Sequence, residues 1–168
     1  MAQAAERRGL AGAVARLAEG FALAGGLLLV AVVCVNAWSI LAQALAGRPF
    51  PGTFELTEMG VAVAVFLFLP YCQISGANVS ADIFTARASR RWIARLGMVA
   101  ACVALGFSLL LAERMWFGLL DQRAYNLTTA ILQVPVWWAF VPVLAALILL
   151  AAAALVSLQD ARRAAKAS

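Results

Sequence analysis

Charged residues divide this chain into blocks, and between them lie four intervals without one: 22–47, 59–81, 96–112 and 131–159. About 20 mainly apolar residues in a helix cross the roughly 30 Å hydrocarbon core of a bilayer, so each interval predicts a membrane span. The expected spans are 20–46, 56–77, 94–117 and 134–158, within one membrane domain covering 1–168. The pattern predicts an all-α integral membrane protein of four transmembrane helices. A short N-terminal interfacial helix is expected before the first span, from Leu10, Val14 and Leu17 at helical spacing with Arg7, Arg8 and Arg16 beside them. A short cytoplasmic helix, capped by Ser80 or Asp82, is expected to lead into the third.

Within the spans, polar and small residues fall on particular faces. Asn36, Ser39 and Gln43 recur every three or four positions and share one face of the first helix. A polar side chain in hydrocarbon needs a partner, so that face points at protein or water, either another helix of this chain or a second protein. The third span carries Gly97, Ala101, Ala104 and Ser108 along one side, a stripe that lets another helix approach closely. The stretch 47–52, GRPFPG, reads as a turn, and Thr53 as the N-cap of the second helix with Glu55 and Glu58 near its positive end. Pro135 suits the first turn of the fourth helix, with Trp137 and Trp138 as anchors at the membrane interface.

Composition agrees with the bilayer: 65% of residues are hydrophobic and 12% charged, against roughly 45–50% and 25% in a soluble domain. The net charge of +5 does not indicate nucleic acid, because the basic residues sit in short clusters beside the spans. Arg7, Arg8, Arg16, then Arg87, Arg90, Arg91, Arg95, then Arg162, Arg163 and Lys166 fall on one side; Arg48, Arg114 and Arg123 fall on the other. The positive-inside rule then puts both termini and the middle loop in the cytoplasm, with Arg87, Arg90, Arg91 and Arg95 also meeting lipid headgroups. Ala44-Leu45-Ala46 has the small residues of a signal cleavage site. The apolar stretch ahead of it is far longer than the roughly 7–15 residues of a signal peptide core, so an uncleaved span is expected.

Candidate chemistry is sparse. The chain has no histidine, which removes bis-histidine haem, histidine-ligated metal and any Ser-His triad. Cys34, Cys72 and Cys102 lie far apart in separate spans, as small buried apolar residues would. Glu55, Glu58, Asp82 and Glu113 all fall at span ends, whereas a self-sufficient proton-coupled carrier usually needs an ionisable group inside the membrane. No cofactor is expected. The residues describe a membrane subunit without its own reaction centre; a stand-alone small exporter and a small membrane oxidoreductase subunit are the alternatives.

Several motifs, in order, resemble the small membrane subunit (DctQ-like) of tripartite ATP-independent periplasmic, or TRAP, transporters. They are a polar-faced first span ending in Gly-Arg-Pro, GTFELTEMG at 52–60, GANVSADIF at 76–84 ahead of arginines, and LQVPVWWAF at 132–140. Many members have histidine where this chain has Asn78. The resemblance implies a bacterial inner-membrane protein that scaffolds a large, DctM-like permease subunit. That partner carries the sodium and substrate sites, and a periplasmic solute-binding protein delivers an organic acid to it. Asn36, Ser39, Gln43, Glu55, Glu58 and Asp82 are then candidates for polar contacts between subunits or helices.

Overall fold

A computed structural model describes residues 9–76 and 90–166. The described residues form α1 (Leu10–Ala46), α2 (Thr53–Ser75), α3 (Arg90–Ala124) and α4 (Trp137–Lys166). All four are long and apolar enough to cross a membrane. At 1.5 Å per residue, the 37 residues of α1 and the 35 of α3 reach about 55 and 52 Å, well beyond the hydrocarbon core. The short cytoplasmic helix expected before the third span, with Asp82 and Arg87, lies outside the described residues. Arg90, Arg91 and Arg95 are described as backbone in the first turns of α3.

Among the described residues no separate N-terminal interfacial helix is set off: residues from Leu10 onward are the first turns of α1 itself. Gly12, Ala15 and Ala18, three residues apart, are buried against the rest of the chain, while Leu10 and Leu17 stay exposed. The small face, not the large apolar one, decides how this segment packs. Thr53 is likewise the first residue of α2 rather than its cap, which is Gly52 in a left-handed conformation (φ 75°). The fourth helix begins at Trp137, two residues after Pro135, whose carbonyl accepts the Trp138 N–H at 3.1 Å.

Helix neighbours run in the order α1, α2, α4, α3, with α1 also touching α4. The share of each apolar window buried inside the chain follows from that order: 50% in α4, 22% in α2 and 11% in both α1 and α3. The core is the seam between the central helices, where Val63 and Leu67 of α2 meet Val143, Ala146, Leu147 and Leu150 of α4. Small residues permit the close approaches. Gly25 of α1 lies against Ala64 and Leu67, and Gly60 of α2 receives Val32. Along α3, Ala101 and Ser108 are buried, and Gly97 faces Ala161 of α4. The small-residue stripe is thus the face that α3 turns to its one extensive neighbour. Ala153 and Ala154 of α4 are fully buried.

Candidate functional site

Among the described residues, a network of polar contacts gathers at the end of the bundle where the α1–α2 turn meets the α3–α4 loop. The turn is held from below by a chain of hydrogen bonds. Asn36 donates to the Val32 carbonyl and to Thr57 Oγ1, both at 2.8 Å. Thr57 in turn donates to the Thr53 carbonyl at 2.8 Å, and Thr53 donates to the Phe50 carbonyl at 2.7 Å. The buried Ser39 hydroxyl accepts the Phe50 N–H at 3.1 Å and lies 3.1 Å from Thr53 Oγ1. Two of the three polar residues on the α1 face therefore find partners inside this chain. Gln43 is exposed, and its backbone carbonyl ends the helix by accepting the Gly47 N–H at 3.0 Å.

The α3–α4 loop folds back on itself. Thr128 and Pro135 form an isolated antiparallel bridge, the Thr129 N–H donates to the Val134 carbonyl at 3.0 Å and the Val136 N–H to the Leu127 carbonyl at 3.0 Å. Asn126 and Gln133 carry the positive φ values, 48° and 54°, that reverse the chain. The Gln133 side chain ties the tip by accepting from Thr128 and donating to the Ala130 carbonyl, both at 3.0 Å.

Glu55 joins the two. Its Oε1 accepts the Ile131 N–H at 2.7 Å and its Oε2 the Leu132 N–H at 3.0 Å, so one carboxylate satisfies both tip amides. Leu132 then drops onto Gly52, where any Cβ would overlap its side chain. Gly52 is required twice over, by its positive φ and by this contact. Beneath the joint lies an apolar cavity of about 260 Å³ whose walls include Leu28, Met59, Val63, Leu132, Trp138 and Pro142. At the base of the loop, the Arg123 guanidinium stands 5.7 Å from the centre of the Trp137 ring, and Trp137 and Trp138 pack edge to face. Trp138 is exposed and Trp137 half-buried.

Of the candidate residues, the structure brings Asn36, Ser39 and Glu55 to this end and engages them within the chain. Glu58 is exposed one turn along α2. Gly52, Leu132 and the loop amides are the members that sequence reasoning missed. Cys34 and Cys102 are exposed and Cys72 half-buried, all with free thiols.

Four helices long and apolar enough to cross a bilayer define a multi-pass membrane protein of the helical class. The family model for the DctQ component of tripartite ATP-independent periplasmic transporters matches residues 29–164. The chain belongs to that family, and so is a small membrane subunit of a TRAP transporter. Comparison with curated proteins finds no match, and comparison with solved structures finds none.

Proposed function

We propose that this subunit scaffolds the large, DctM-like permease subunit of a TRAP transporter in the bacterial inner membrane, both termini cytoplasmic. Sodium-coupled uptake of an organic acid takes place in the partner, supplied by a periplasmic solute-binding protein. The observation that carries this reading is the uneven burial of an apolar molecule. Only 11% of the apolar windows of α1 and α3 is covered by the chain itself, leaving two broad helix faces for a neighbour. Membership of a tripartite transporter family makes a permease the natural neighbour. The charge clusters support the orientation, and the lack of charge in the described span interiors supports placing the transport site elsewhere. A C-terminally tagged chain, solubilised gently and pulled down, is expected to bring a large polytopic permease at a one-to-one ratio. Proteoliposomes holding both subunits are expected to take up an organic acid with the binding protein and an inward sodium gradient, and to fail when this chain is left out. Recovery of the chain alone, or sodium-driven uptake unaffected by its omission, would overturn the scaffold.

A further inference from the structure

The α3–α4 loop joins two spans, and beside the polar Asn126, Thr128 and Gln133 it exposes large apolar side chains: Tyr125 is 74% exposed, Ile131 60% and Leu127 45%. A loop projecting freely into water gains nothing from such side chains, and their depth relative to the membrane is set by contacts already described. The Ile131 amide is 2.7 Å from the Glu55 carboxylate. Glu55 precedes Met59, where the charge-free run 59–81 begins, by one helical turn, about 6 Å along the axis. Leu132 and Val134 line the same cavity as Met59, Trp138 and Pro142, which places the tip beside the first turns of both central helices. The headgroup layer adds roughly 5–7 Å to each side of the hydrocarbon core, and Trp and Tyr concentrate there.

The exposed apolar surface is also continuous with the surface of the spans. Phe54, 78% exposed, lies on the same face of α2 as the exposed Val61 and Val65. Glu58 lies between them on that face and is exposed, which marks where the helix leaves hydrocarbon. Phe54 therefore extends the apolar face of α2 outward past its charged boundary, and the Glu55 hydrogen bond brings Ile131 to that same end of the helix.

We propose that the α3–α4 loop is an interfacial anchor: Ile131 at its tip is seated in the lipid headgroup layer, with Tyr125 and Leu127 nearer the loop base and Phe54 on the adjoining turn of α2 at the same boundary, and Glu55 holds the tip at that depth. The occupant of this surface is lipid, at the boundary between headgroups and acyl chains, rather than water or a docked protein. Glu55 acts here as a positioning residue, since its carboxylate meets the loop backbone and not the lipid.

The test labels Ile131→Cys with an environment-sensitive dye in a chain whose Cys34, Cys72 and Cys102 are replaced by alanine. The full chain is purified from membranes with whatever it binds there and reconstituted in nanodiscs. Quenching by lipids brominated high on the acyl chain is expected to be strong, and quenching by aqueous iodide several-fold weaker than for the free dye. Iodide quenching equal to that of the free dye would overturn the proposal in favour of a solvated loop; protection from both quenchers would overturn it in favour of a protein cover. Adding Glu55→Ala is expected to shift the label toward iodide, and an unchanged lipid signal would remove Glu55 from the role. Should Ile131→Cys fail to accumulate, Leu127→Cys carries the same measurement with the same outcomes.

Discussion

Gly52 and Gly60 bracket the first turns of α2, and each receives an apolar side chain from another element, yet they do different work. Gly60 sits inside the bundle and lets Val32 of α1 approach. Gly52 sits at its end, turns the chain through a positive φ, and receives Leu132 from a loop that Glu55 also grips. The difference reflects the solvent around each. In hydrocarbon, helices gain little hydrophobic free energy from one another, so close packing of small residues holds the interior together. At the membrane boundary backbone amides must be satisfied and the chain must turn, so hydrogen bonds and backbone conformation take over.

Substituting the two glycines sharpens that contrast. Gly52→Ala has the largest expected effect, because left-handed backbone strain of about 1–2 kcal/mol adds to displacement of Leu132. Thermal unfolding of the purified protein should show the loss, with faster hydrogen exchange at the Ile131 and Leu132 amides. Gly60→Ala follows, with Val32 pushed aside at an overpacking cost of about 1–3 kcal/mol. Exchange in the α3–α4 loop should stay unchanged there; if it rises as well, core and joint are one cooperative unit and the contrast breaks.

Smaller effects test the polar elements. Asn36→Ala, combined with Thr57→Val in a double-mutant cycle, should give a coupling of about 0.6 kcal/mol, the average for interhelical hydrogen bonds in membranes. A coupling near zero would leave Asn36 free for a role outside this chain. Arg123→Ala is expected to cost least, about 0.5–1 kcal/mol for an exposed cation–π pair, measured as a small fall in melting temperature. A large fall would mean that the base of the loop, rather than its Glu55-bound tip, carries the joint.

The candidate residues were legible to different depths, for reasons that can be named. Asn36 and Ser39 were visible as a polar face because helical periodicity is local; their partners, Thr57, Thr53 and the Phe50 amide, lie on the next element and were not. In the sequence Glu55 is fully accounted for by the helix N-terminus, and nothing local shows that its two oxygens accept from amides 76 and 77 residues away. In the Leu10 segment the large apolar residues carry the visible sequence pattern, while Gly12, Ala15 and Ala18 make the contact. Glycines on both sides of a Glu-bearing helix start, with an Asn and a Gln in the opposite loop, were the available signals.

By itself the sequence determined that the chain crosses a membrane four times and carries little chemistry of its own. Hydrocarbon admits few charges and requires a helical backbone, and both conditions are written in runs of consecutive residues. Only the tertiary structure decided that α2 and α4 are central and α1 and α3 flank them, that Leu132 falls on Gly52, and that Glu55 clasps the far loop. Those outcomes depend on matched shapes and hydrogen-bond geometry between residues distant in the chain, and in a uniformly apolar sequence no local pattern distinguishes one helix neighbour from another.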